Sequence, residues 1–565
     1  TGDRQRRSQI RQEPADGKDL TLHTQWIGRM IRWHHPPRRS MHLQLRALGG
    51  ALLLAIAATS AQSTDFRVHP YVQNPTTDSM TVIWFSNSDT PGQLSVRGEG
   101  PPGDTTLVST PIRAAALAYS AWEDTTHFAG AAPAPPFRHR VRLTGLEPAT
   151  SYAYEVNQGA SRFTATFTTA PPTYRPIRFI AYADCETEPE STGNMTKWPT
   201  AAAPDRTYLL DQTTGYAENL AAIAARRPDF IAIAGDLVES GGEQRDWDEF
   251  WRHNTNERGD RSLAGRVPIF ASPGNHEYFE GPPLGYRQPG SARAIGHFRS
   301  YFEFPDNQAA DPEHKGRYYR IDYGPITLIA LDVANDSPHQ SDRDTNFHLL
   351  GENDPGGGRA PAFGPGSAQY AWLETQLADA RNTSAFTFVF FHHIPYSVGP
   401  HGWPPGSLDL GYDLQSGVPV RALTPLFMHY GVDAVLAGHD EIWERSEIAG
   451  TEIGDDGEKK PHTLHFYDIG IGGDGLRAPE PGLVNPHQQF LAHTDAPEVW
   501  RDGVLVDGGK HYGHLEVDIL PGASGGWLAI LKPVYILPLV AGDGTFLGGE
   551  RRLYDDIVTL RSAPR

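Results

Sequence analysis

Five short segments of this chain end an apolar run in side chains that bind cations or carry protons. They are YADCE at Asp184, AGDLVE at Asp236, SPGNHE at Asn275 and His276, FFHHIP at His392 and His393, and LAGHDE at His439 and Glu441. Two hard or borderline cations held close together need a bridging carboxylate, with Asp, Asn and His in the remaining positions. A single Gly-Asp or Gly-Asn-His means little, but five such segments in order describe a metal-assisted hydrolytic site. The imidazole of His276, with a reference pKa of about 6.5, can both stabilise anionic charge and protonate a leaving oxygen. No G-x-x-x-x-G-K-[ST] loop is present, and the glycines of DIGIGGDGLR lack the dinucleotide register.

The elements that carry these groups follow from the apolar runs. IRFIAYAD, DFIAIAGD, VPIFASPGN, TFVFFHH and VDAVLAGH read as buried strands whose carboxyl ends deliver acids, Asn and His to one edge of a central sheet. Helices are predicted over Asn219–Arg227, Ala368–Ala380 and Arg421–Tyr430. The Asp-, Gly- and Pro-rich stretch from Asn335 to Ser367 reads as a long loop bordering the site. Upstream, short alternating strands at Ser79–Phe85, Gln93–Arg97, His139–Leu143, Tyr152–Val156 and Phe163–Phe167 predict a β-sandwich. A Pro/Thr linker from Thr169 to Pro176 separates the two halves, and the last sixty residues again read as strands.

The blocks YADCE, AGDLVESGGEQRDWDEF, SPGNHEY, FFHHIPYSVGPHG and YGVDAVLAGHDEIWERS together resemble the calcineurin-like metallophosphoesterases over about residues 62–565. Within them the chain resembles the purple acid phosphatase type with an N-terminal fibronectin type III-like domain. Leu146, Pro148, Thr150 and Tyr152 match the turn at which such sandwiches close, so Tyr152 is expected to be structural. The resemblance implies an α/β fold, a four-layer α/β/β/α sandwich preceded by an all-β sandwich. It implies two metal ions, with Asp184 a ligand of the first, Asp236 the bridge, and Asn275 and His439 ligands of the second. His392 is favoured as a further ligand and His393 is the alternative. His276 is expected at the substrate phosphate, and His401 as a second donor there. Glu277 is expected to order His276 or the loop and not to bind metal. Trp403 is a candidate contact for an organic leaving group, whereas Trp247 and Trp443 read as packing residues.

The chain departs from that pattern on one side. Glu441 stands where the last motif usually has its final histidine, Glu239 where the purple enzymes have tyrosine, and Glu186 where relatives often have His or Gly. Three glutamates then surround the first cation, which favours Mg, Mn, Ca or Fe(III) over Zn. The alternatives are a single bound metal with the glutamates as outer acceptors, or loss of catalysis. Without the tyrosinate the protein is not expected to be purple.

The 565-residue chain has a formal net charge of -19, although residues 1–46 hold ten Lys/Arg against four Asp/Glu. So acidic a body argues against a nucleic-acid scaffold. Residues 41–61, from Met41 through the apolar run to Ala61, read as a signal peptide behind an unstructured extension at 1–40. With no other apolar run long enough to span a bilayer, the mature chain is expected to be secreted or periplasmic without an integral membrane segment. Cys185, the single cysteine, reads as a small core residue. The domains expected are 62–170, the sandwich; 177–504, the catalytic domain; and 505–565, a β segment packed on it. The expected reaction is hydrolysis of a small phosphomonoester by a metal-activated hydroxide. A phosphodiesterase or nucleotidase on the same core, and a non-catalytic surface- or glycan-binding protein on a degenerate one, are the alternatives.

Overall fold

The computed structural model describes residues 65–97, 103–197, 207–336, 338–352, 354, 360–407, 415–492, 498–523 and 525–563. The leader and extension expected over residues 1–61 lie outside the described residues.

Strand residues alternate strictly between two packed layers, which is what makes the architecture. In Phe230–Ala234, Phe230, Ala232 and Ala234 face one apolar cluster while Ile231 and Ile233 face another. Phe388 and Phe390 likewise point opposite to Val389 and Phe391. Both faces being apolar, these strands must be covered on both sides.

The inner cluster lies between two seven-stranded sheets. One runs in the order Ile269–Ser272, Phe230–Ala234, Ile177–Tyr182, Gly513–Pro521, Trp527–Val540, Phe546–Leu553, with Val558–Arg561 also on Trp527–Val540. The other runs Tyr319–Tyr323, Ile326–Ala330, Phe386–His393, Ala434–Gly438, Lys459–Ile469, Trp443–Ile453, Gln488–Leu491. The strands ahead of the ligating segments pair in parallel within each sheet. Helices Gln212–Arg226, Gln244–Asn254 and Gly290–Tyr301 cover the first sheet, and Ala368–Thr383 and Thr424–His429 the second. The result is α/β/β/α. The C-terminal strands are hydrogen-bonded members of the first sheet, since Gly513–Pro521 pairs directly with Ile177–Tyr182.

Two helices differ from expectation. The first begins at Gln212, seven residues before Asn219, because Asp211 caps it by accepting the N–H of Thr214 at 2.7 Å. The predicted Arg421–Tyr430 helix is a 3-10 turn, Val418–Leu423, followed by a short α-helix at Thr424–His429 with Pro425 in its first turn. Proline lacks the N–H that would continue a helix through it, so the helix restarts there.

Residues Phe66–Thr168 form two four-stranded sheets around Met80, Val82, Trp84, Leu94, Tyr154 and Phe163. Tyr152 closes one corner by accepting the N–H of Glu147 at 2.8 Å. The outer face of this sandwich buries Tyr71, Ile83 and Phe85 against the helices of the α/β body. Tyr71 stacks 4.2 Å from Trp251 and donates to Tyr301 O at 2.7 Å.

Candidate metal centre

The five segments meet at the carboxyl ends of the parallel strands. Asp184, Asp236, His439 and Glu441 all have left-handed backbones, with φ of 55°, 52°, 84° and 51°. Non-glycine residues adopt that region at a cost, and such strain gathers where a chain must present a side chain. Gly235 answers a related demand, since at φ +88° a Cβ would lie 2.7 Å from the ring of His392. The loops are held from within. Glu277 accepts the N–H groups of Leu237 at 2.8 Å, Asp236 at 3.0 Å and Gly274 at 2.6 Å, so it orders the loop as expected of it.

On the histidine side, backbone carbonyls fix the tautomers. His392 Nδ1 donates to Ala234 O at 2.9 Å and His439 Nε2 donates to Gln415 O at 2.6 Å. The other ring nitrogens, His392 Nε2 and His439 Nδ1, therefore face each other 3.1 Å apart, with Asp236 Oδ2 2.7 Å from His392 Nε2. A ring N–H given to a carbonyl and a lone pair turned to a shared point is how imidazole is prepared for a cation. Asp236, His392 and His439 can hold one together, their ligand atoms lying within 4.8 Å of one another. Burial opposes charge on His392, but the carboxylates of Asp236 and Asp184 raise it to about 9, and a cation competes with that proton for the same lone pair.

Beside them, Asn275 Nδ2 bonds Tyr286 OH at 3.3 Å and Gln415 Oε1 at 3.4 Å, leaving Oδ1 buried with no partner. Both nitrogens of His393 are also buried without a hydrogen bond, its ring 4.2 Å from that of His439. Buried polar atoms of this kind cost free energy unless a ligand satisfies them. The donor set thus fits a metal ion, and both adjacent histidines border the place it would occupy.

The other side is all oxygen. Glu186, Glu441 and Asp474 bring carboxylate atoms within 4.8 Å of one another. Asp474 joins the expected glutamates here, and Glu239 lies beside them. Glu239 uses its main-chain carbonyl to take His276 Nδ1 at 2.6 Å, and its carboxylate hydrogen-bonds Glu186. Burial pushes Asp184 up to about 8 against the pull of His392, with the charges of Asp236 and Glu441 adding to the rise. Glu186 and Asp474 are raised well above the carboxylate range by burial and by neighbouring acids. So many acids in one buried place call for a positive partner. Arg477 supplies one, 2.5 Å from Glu441 Oε1.

His276, anchored through Nδ1, turns Nε2 toward Glu186 Oε1 at 3.8 Å, and its main-chain N–H donates to Asp236 Oδ1 at 2.9 Å. Burial works against its charge, but Glu186, Asp236 and Glu239 hold it well above the ordinary histidine value. His401 stacks on His439 with centroids 3.7 Å apart, and its Nε2 accepts from Arg477 Nη1 at 3.0 Å. Trp403 is half-buried two residues on, its carbonyl accepting from Ser416 Oγ at 2.6 Å. Trp247, Trp443 and Cys185 are buried in the packed layers.

Tyr286, Gln415, Asp474 and Arg477 escape the motif reading. Tyr286 and Gln415 come from loops with no apolar run leading into them, whereas Asp474 and Arg477 lie in the loop after the buried end of Lys459–Ile469. The glycine-rich GDGLR was the one available signal, because Gly475 has φ +67° and a Cβ there would fall 1.3 Å from Glu441 Oε2. The long loop after Asn335 does border this region, with His348 stacked on Tyr286 at 5.8 Å.

Residues 209–441 match the calcineurin-like phosphoesterase family, and residues 66–170 match the purple acid phosphatase N-terminal domain. The chain is 26% identical over 434 residues to an uncharacterized protein of Mycobacterium tuberculosis, covering 70% of this chain and 72% of that one. It is 22% identical over 433 residues to purple acid phosphatase 15 of Arabidopsis thaliana, covering 72% and 70%. Among solved structures, the purple acid phosphatase PPD1 of yellow lupin (Lupinus luteus) seeds aligns with a TM-score of 0.53 at 16% identity over 85% of this chain and 73% of that one. PhoD aligns with a TM-score of 0.54 at 14% identity over 87% and 90%. The chain is a phosphoesterase that carries a calcineurin-like metallophosphoesterase domain behind a purple acid phosphatase-type N-terminal domain.

Proposed function

We propose that this enzyme hydrolyses small phosphomonoesters outside the cytoplasm with two cations. One is held by Asp236, Asn275, His439 and His392 or His393; the other by Asp184 and Asp236 together with Glu186, Glu441 and Asp474. The single observation that carries this reading is the pair of carbonyl-locked imidazoles, which turn His392 Nε2 and His439 Nδ1 toward each other beside Asp236. Bound metal ions supply an acidified water and offset charge on the phosphoryl oxygens. The oxygen-rich half favours Mn, Mg, Ca or Fe(III), and with Glu239 in place of a tyrosine there is no phenolate to give a purple colour.

The protein's own part is orientation and proton delivery. His276, fixed at Nδ1 by the carbonyl of Glu239, presents Nε2–H as the donor for the leaving oxygen. Trp403 lies close enough in sequence to His401 to meet an organic leaving group. Export is supported by the signal-like segment at 41–61.

Metal content by elemental analysis of chelator-free protein, measured beside hydrolysis of an aryl phosphate monoester and of the matching diester, tests the reading. Two equivalents with monoester turnover support it. No turnover after loading with Mn, Mg, Ca, Fe or Zn in turn rejects it. A second reading, one cation on the histidine side only, is favoured by the ion pair that Arg477 already makes with Glu441, and one equivalent with turnover selects it.

A further inference from the structure

The cationic side chain best placed to meet an incoming anion is Arg477. Its side chain is 43% exposed, whereas its partner Glu441 is 3% exposed. The guanidinium therefore stands at the solvent side of the buried acids. It is also held in place. Gly475 and Leu476 both have left-handed backbones, with φ of 67° and 64°, a strained turn that directs the next residue. The N–H of Arg477 donates to Glu441 O at 3.0 Å, and Lys510 Nζ donates to Leu476 O at 2.8 Å. Nη2 meets Glu441 Oε1 at 2.5 Å and Nη1 donates to His401 Nε2 at 3.0 Å.

That last bond sets the chemistry of the pair. Guanidinium only donates, so in this bond His401 Nε2 is the acceptor. A ring whose Nε2 is already engaged by the guanidinium is a poor second donor for a phosphate. A guanidinium has five N–H donors in a planar fork that matches two oxygens of one phosphoryl group.

We propose that Arg477 is the fixed cationic contact for the substrate's phosphoryl oxygens, and that His401 acts through it as a positioning residue. The proposal rests on the phosphomonoesterase reading above for its substrate class. A terminal phosphate dianion offers more charge and more free oxygens to such a fork than a diester, so the contact favours monoesters.

The test compares wild type with Arg477→Gln, Arg477→Lys, His401→Ala and the double variant Arg477→Gln/His401→Ala. Three readouts are taken on metal-loaded protein: the Kd of inorganic phosphate by calorimetry, KM and kcat for an aryl phosphate monoester, and metal equivalents by elemental analysis. Arg477→Gln is expected to weaken phosphate binding and raise KM tenfold or more with metal content unchanged. Arg477→Lys keeps the charge without the fork and is expected to recover part of that loss. It also carries the test should the Gln variant fail to fold. His401→Ala is expected to weaken phosphate binding in the wild-type background and to have no further effect once Arg477 is Gln, since a residue acting through another shows no separate contribution.

An unchanged phosphate Kd in Arg477→Gln and Arg477→Lys overturns the proposal. So does an extra equivalent of metal in Arg477→Gln that restores phosphate binding, because the arginine would then be a stand-in for a cation. Calorimetry needs no turnover. A wild type that binds phosphate through Arg477 but hydrolyses nothing would keep this contact and reject the hydrolytic reading.

Discussion

The carboxylate of Glu277 receives the main-chain N–H of Asp236 at 3.0 Å, tying the HEY turn to the loop that presents the central acid of the site. The same carboxylate takes the N–H groups of Leu237 and Gly274. Three donors from two loops converge on one buried group. Asp236 can hold its left-handed backbone because its own N–H and that of the next residue are satisfied there.

Glu277→Gln should therefore destabilise the fold. The new amide NH2 faces donors, and each buried donor left without an acceptor costs about 1–3 kcal/mol. For a domain this large, each kcal/mol lowers Tm by roughly 1–2 °C. Thermal unfolding of metal-loaded protein checks it, and an unchanged Tm would show that the loops hold without this carboxylate.

His276→Ala should lower kcat/KM by about 10²–10⁴-fold for an alkyl phosphate, whose leaving oxygen needs a proton. The loss should be much smaller for a nitrophenyl phosphate, whose leaving group departs as a stable anion. Comparing the two substrates in one variant separates proton delivery from binding. Equal losses would reassign His276 to binding the phosphate.

Tyr152→Phe should weaken the N-terminal sandwich by about 1 kcal/mol, the net worth of one hydrogen bond, here with Glu147 N–H. Its ring packs with Phe167 at 5.7 Å and stays in place. Denaturant unfolding should show the loss while KM and kcat stay at wild-type values. A change in KM would mean the corner communicates with the site.

Glu243 predicts a pH dependence. Burial and the nearby Glu123 push its carboxyl up to about 8, against the pull of Arg245. Between its ordinary value of 4.5 and about 8 the folded chain keeps a proton that the unfolded chain has released. Stability contributed at this group therefore falls as pH rises through that window. Glu243→Gln should leave stability unchanged near pH 4.5 and raise it at pH 8.5. Urea midpoints at the two pH values measure this, and an equal shift at both would contradict it.

Much of the site was legible because ligand and strand are neighbours in sequence. Alternation of Phe and Ile or Val along FIAIA and FVFF assigns both faces to burial, so the polar residue after each run has to emerge at the sheet edge. Asp184, Asp236, Asn275, His392 or His393, and His439 follow from that local fact. The corner role of Tyr152 came instead from the resemblance of its turn to that of fibronectin type III domains.

What only the tertiary structure decided involves groups that meet across long loops. Local spacing could not add Asp474 to the glutamates of this side, because its approach depends on how the turn at Gly475 closes on Glu441. Nor could it pair Arg477 with His401, 76 positions away. The proton on each histidine was equally out of reach, since a backbone carbonyl from another strand assigns it, as Ala234 does for His392. Sequence alone determines which residues stand at a strand's end, through the two-residue period of the backbone. Which nitrogen, which oxygen and which guanidinium face one another is settled by packing of separate loops, where no local periodicity operates.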